Sequence, residues 1–237
     1  MERRYLIPTQ QITAELAERI KRRVDNVVLN ARFKWMLELF MKNRKMLPEE
    51  IVITRDGVSE GQYRMVGYES ITVIEDELDA IKEACEEFGN LHNQESWKPR
   101  FTLVITTKRH HARFFKEDQK GIFFSSSSLI WTYLLVNFFT LGIANPLPGT
   151  VIDTDVVRND LTEFYMLNHR PIQGTAKAPS YQVIVDEIDM GNDEVQALMS
   201  ALAFHHQIVN APVSIPEPIY QADEWAKRGK DIWKAYT

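Results

Sequence analysis

Cysteine is nearly missing from this sequence. Cys85 is the only one, which excludes an internal disulfide and suits a reducing, cytoplasmic compartment. Its setting, Ala80-Ile81-Lys82-Glu83-Ala84-Cys85, reads as helix, and there a cysteine serves as a small buried apolar residue rather than a nucleophile. A positive excess is also lacking. Lys and Arg total 28 against 33 Asp and Glu, a net charge of −5, so any grip on nucleic acid has to come from a local basic surface. The amino terminus, Met1-Glu2-Arg3-Arg4-Tyr5, has no apolar core of a signal peptide. Internal repeats are absent. Charge itself disappears in one place: no Asp, Glu, Lys or Arg occurs between Lys120 and Asp153.

What is present is the composition of a globular protein, 44% hydrophobic and 26% charged, with length enough for one large domain or two small ones. Leu16, Ile20, Val24, Val27, Ala31, Trp35 and Leu39 recur at helical steps, predicting one amphipathic helix from Thr13 to about Arg44. A strand follows at Ile51–Thr54, then a helix at Glu75–Phe88 that Gly89-Asn90 should stop, then a β-branched strand at Phe101–Thr106. Further strands are expected at 150–153, 163–167 and 181–185, with helices at 192–206 and 222–236 and an extended path over Pro212, Pro216 and Pro218. Strands alternating with helices predict an α/β sheet.

Asp56 stands at the carboxyl end of the first strand, just before Gly57, where open α/β sheets place their chemistry. The run Thr54-Arg55-Asp56-Gly57-Val58-Ser59-Glu60-Gly61-Gln62-Tyr63, with His169-Arg170-Pro171-Ile172-Gln173-Gly174-Thr175 downstream, resembles the PIWI domain of Argonaute proteins. Lys108-Arg109-His110-His111-Ala112-Arg113-Phe114 is similar to a third run of that family. The resemblance implies an RNase H-like α/β fold of mixed sheet and flanking helices. It implies that residues 1–237 hold part of that domain, its carboxyl-terminal portion, with an atypical apolar insert at about 121–143.

Active members of the family use Mg²⁺ or Mn²⁺ to cut a target RNA paired to a small guide RNA. A pair of hard cations needs several convergent carboxylates. The resemblance assigns Asp56 and His169 as catalytic residues and metal ligands, and Lys108, Arg109, His110, His111, Arg113, Gln173 and Lys177 as nucleic-acid contacts. Lys177 stands where the family has Arg, which keeps the charge and loses the bidentate fork. The family's first Asp has no counterpart; Asp25 is a possible substitute for its Glu and Glu18 a more distant one, and neither sits in a recognisable motif. The expected function is therefore guide-RNA binding without cutting. A full-length slicer, or an interaction remnant for tryptophan-bearing silencing partners, are the alternatives.

The insert, Ile122 to Leu141, is about long enough to cross a bilayer. Three readings stand: a translated intron, an apolar insertion packed on the domain or a partner, and a membrane span. The last fits badly, since the family's motifs continue on both sides within one compact domain; no membrane is expected.

Overall fold

The computed structural model describes residues 26–57, 69–117 and 143–236. Five strands form the main sheet: β1 (Glu50–Asp56), β2 (Arg100–Thr107), β5 (Thr150–Ile152), β6 (Thr162–Leu167) and β7 (Ser180–Asp186), in the order β1-β2-β7-β6-β5. Helices α1 (Asn26–Arg44) and α2 (Glu69–Leu91) precede β2, and α3 (Asn192–Ala203) and α4 (Glu217–Tyr236) follow β7. β1 and β2 are parallel, and a parallel pair needs a long crossover, which α2 supplies. The remaining neighbours are antiparallel. The sheet is thus mixed and flanked by helices, as expected.

Two apolar layers sandwich the sheet because β2 alternates. Phe101 packs with Phe33, Leu37, Leu78, Ile81, Ala84, Cys85 and Phe88 of α1 and α2. Val104 points the other way, onto Phe164, Met166, Tyr181 and the α3 residues Val195, Met199 and Leu202. Cys85 belongs to the first layer, and burial pushes its thiol up to about 12. That is the inert apolar residue its sequence setting implied.

Several boundaries differ from expectation for identifiable reasons. The part of the first helix before Asn26 lies outside the described residues; its end matches, and Lys45 adopts φ 60°, the left-handed conformation that closes helices. α2 runs through Gly89 rather than stopping there. A Cβ at Gly89 would sit 3.0 Å from the Gln94 carbonyl, so this glycine makes room for the returning chain, and Asn93 at φ 56° makes the turn. α4 starts five residues before the expected Ala222, taking in Glu217 and Pro218. Proline is tolerated there because first-turn N–H groups have no intrahelical partner.

The flanks of the apolar insert do not interrupt the main sheet. β3 (Lys116–Glu117) and β4 (Ile143–Ala144) pair with each other in a separate ladder, Lys116 opposite Ala144. Both ends of the excursion therefore meet outside the five strands. The insert itself lies outside the described residues, and among those no helix is long and apolar enough to cross a membrane.

Candidate nucleic-acid and metal-binding site

The registers bring the functional candidates to one end of the sheet. Asp56 is opposite Thr106 on β2, Thr107 is opposite Ser180 on β7, and Tyr165 of β6 is also opposite Ser180. The carboxyl ends of β1, β2 and β6 therefore emerge together, carrying Asp56, Lys108-Arg109 and His169.

Asp56 is held in place by its neighbours in sequence. The Gly57 amide donates to the Thr106 carbonyl at 2.8 Å, and a Cβ on Gly57 would lie 2.0 Å from Thr107 Oγ1. Only glycine lets β1 leave so close to β2. Arg55 reaches back to α2, with Nε and Nη2 donating to the two carboxylate oxygens of Glu77 at 2.9 and 3.2 Å, while Nη1 donates to the Asp56 carbonyl at 2.6 Å. This forked pair fixes the strand end.

The charge facing Asp56 comes from an unexpected element. Burial raises the Asp56 carboxyl above its ordinary value, and Asp223 of α4 raises it further, against the lowering pull of Arg109, Arg55 and the Gly57 amide. Asp223 sits within an ordinary helical sequence, Gln221-Ala222-Asp223-Glu224, and sequence reasoning missed it. Its only signal was position, six residues into a helix whose true start was misplaced.

The cations form a second group. Lys108 is half-buried, and its Nζ donates to Ser214 Oγ at 2.5 Å. Burial lowers the Lys108 ammonium, Lys177 lowers it further, and Asp223 opposes both. His169 is lowered by burial and then by Lys108, and its Nδ1 is buried with no hydrogen-bond partner. Arg109, His111, Gln173 and Lys177 are exposed.

His110 and Arg113 make contacts within the chain. His110 is 5% exposed, and its Nε2–H donates to the Ala178 carbonyl at 2.7 Å. It braces one loop against another and does not face solvent. Arg113 turns onto its own backbone, donating to the carbonyls of His110 and Ala112 at 2.8 and 2.6 Å. Lys108 is the charged neighbour that acts on His169, adding to the effect of burial.

For a divalent ion the fit is partial. Asp56 and Asp223 are hard oxygen donors whose mutual repulsion a cation would relieve. No group of three His, Cys, Asp or Glu side chains converges among the described residues. Asp25 and Glu18 lie outside those residues. Asp56 and Asp223 are thus two carboxylates that act on one another at this strand end, fewer than a pair of cations needs.

Comparison with known proteins identifies the fold and the family. The Argonaute of Schizosaccharomyces pombe is 33% identical over 193 residues, covering 79% of this chain and 19% of its own length. Argonaute 11 of Oryza sativa subsp. japonica is 32% identical over 222 residues, covering 93% of this chain and 22% of its own length. The chain thus spans about a fifth of these curated relatives. Among solved structures, the C-terminal lobe of a budding yeast Argonaute superposes with a TM-score of 0.64 at 25% identity, over 87% of this chain and 38% of that one. The Kluyveromyces polysporus Argonaute with a guide RNA gives 0.66 at 24% identity, over 91% and 23%. The five-stranded mixed sheet is accordingly the RNase H-like fold of Argonaute PIWI lobes. Residues 1–234 match the Piwi domain family, and the chain belongs to it.

Proposed function

We propose that this chain binds the phosphate backbone of a small guide RNA, and of the target RNA paired to it, in an Argonaute-like silencing protein. The observation that carries the reading is the meeting of Lys108, Lys177 and His169 at the sheet end beside Asp56 and Asp223. Lys108 loses hydration through burial and faces a like charge, so both lysines gain when a phosphate enters between them. Arg109 is exposed at the same end. Such contacts are sequence-independent, and pairing by the guide supplies the specificity.

Asp56 and Asp223 are the residues that would hold Mg²⁺ or Mn²⁺. A bound ion there would neutralise the carboxylates and draw a phosphate oxygen towards them. Cutting by an ion pair asks for more ligands than the described residues bring together, so the proposed activity is binding rather than cleavage.

The test uses the full chain with guide-paired RNA in Mg²⁺ or Mn²⁺, recording binding and cleavage in the same tubes. Binding without cleavage, weakened about tenfold by Lys108→Ala, is the expected result. Cleavage that Asp56→Ala abolishes would overturn the binding-only reading. RNA binding indifferent to Lys108 and Lys177 would overturn the phosphate platform.

A further inference from the structure

Lys177 is held outward by what flanks it. Ala176 and Ala178 are 3% and 4% exposed, packed with Leu167, Phe114 and Tyr165, and the lysine between them faces solvent. The preceding turn depends on Gly174 at φ 77°, a conformation that glycine adopts freely and that a flexible loop leaves just as freely. Something must therefore hold the turn from outside.

Asn145 does so with both ends of its amide. Its Nδ2 donates to the Gly174 carbonyl at 2.9 Å, and its Oδ1 accepts from the Ala176 amide at 2.9 Å. It spans Thr175 and fixes the backbone on both sides, and one planar side chain satisfying a donor and an acceptor leaves the turn little freedom. Asn145 itself is anchored because it follows β4 directly. On the other side of Lys177, His110 holds the Ala178 carbonyl.

We infer that Asn145 is a positioning residue for phosphate binding: its two-point clamp on Gly174 and Ala176 sets where Lys177 stands relative to Lys108. This rests on the phosphate platform proposed above. The clamp fixes the backbone that carries Lys177, and so bears on whether one phosphate can meet both lysines.

The full chain is tested as Asn145→Ala, Lys177→Ala, the double variant and Lys108→Ala. Affinity for a short single-stranded RNA is measured against salt, and amide exchange is followed at Ala176. Exchange at Ala176 should rise in Asn145→Ala. RNA affinity should fall several-fold, and the slope of log affinity against log salt should flatten by about 0.7, as for one lost contact to a single strand. The double variant should bind no worse than Lys177→Ala, since the two act as a unit. Unchanged exchange at Ala176, or losses that multiply in the double variant, would overturn the inference. If Lys108→Ala and Lys177→Ala both bind as the parent does, the platform fails and the inference with it. The exchange result then still separates a clamp without a function from no clamp at all.

Discussion

His169 illustrates how a neighbour decides a residue's chemistry. Burial and Lys108 hold its imidazole below the ordinary 6.5, so the free protein stays neutral there when exposed histidines have begun to charge. Because the folded value is depressed, the stability His169 contributes is present above 6.5, its unfolded value, and is lost as pH falls through the folded value. A phosphate beside it reverses the pull and favours the proton. RNA affinity should therefore strengthen as pH falls from about 7.5 to about 6, with proton uptake on binding. His169→Gln should flatten that dependence while leaving affinity at about pH 8 within roughly twofold. Titration of binding at several pH values in both proteins decides it. Asp56 obeys the opposite sign: its folded value is raised above 3.8, so stability is present below that value and lost as pH rises through the folded one. Asp56→Asn should thus melt higher than the parent at neutral pH and equally at about pH 3. Mn²⁺ should raise the parent's melting temperature more than the variant's. Tyr181 shows the same physics without function. Its hydroxyl is buried with no partner, and burial raises its ionisation far above the ordinary range. Removing an unpaired buried hydroxyl sheds a desolvation cost of about 1 kcal/mol, so Tyr181→Phe should leave stability unchanged or improve it in a denaturant melt.

At the scale of elements, α4 matters because it carries Asp223, and its entry is fixed by a buried pair. His206, just after α3, and Glu217, in the first turn of α4, are 8% and 4% exposed and meet at 2.8 Å, Nδ1 to Oε2. Gln221 donates to the other Glu217 oxygen at 2.5 Å, and Tyr220 sets its ring edge against His206 at 4.5 Å. The same connection carries Ser214 to Lys108. Removing the carboxylate leaves His206 buried without its partner, a loss of about 2 to 3 kcal/mol. Glu217→Ala should therefore lower the chemical-denaturation midpoint and weaken RNA binding through Ser214 and Lys108, while Glu217→Gln, which can still accept one hydrogen bond, should lose less of both. The pair is not legible in the sequence, because Glu217 stands eleven positions after His206 across a connection expected to be extended. Strands were more legible: β1, β2 and β7 differ by one or two residues at each end, since β-branched runs and burial agree there. Of the candidate site, Asp56 and Lys108 were readable from motifs bound to strand ends. Asp223, the brace of His110 and the clamp of Asn145 arise from contacts between distant segments, which local patterning does not encode.

For the whole molecule the question is how an acidic chain with an uncharged insert remains one sheet. Its charges are sorted: surface pairs such as Lys82–Glu187 and Arg100–Glu50, at 2.5 and 2.6 Å, stitch β1, α2, β2 and the exit of β7 together away from the platform. Lys108, Arg109, Lys177 and His169 stay at the other end, so a net charge of −5 coexists with a local cation cluster. The described flanks of the insert lie in the two-stranded ladder, outside the main sheet. Lys116 and Glu117 already pair with Ala144 and Ile143, which closes the excursion at its base, and a loop's length costs little once its ends are held. Replacing residues 119–141 by a short Gly-Ser turn should thus leave the melting temperature within about 3 °C of the parent and RNA affinity within twofold of it on the order-of-magnitude scale used for phosphate contacts. Loss of folding on that replacement would mean that the apolar run packs on the domain and belongs to its core. A folded replacement that keeps RNA affinity but loses a protein partner captured by the parent would assign the run to an interface. The clean outcome, unchanged in every respect, would make residues 119–141 dispensable for the proposed function, with Asn145 still clamping Gly174 and Ala176 immediately beyond the ladder.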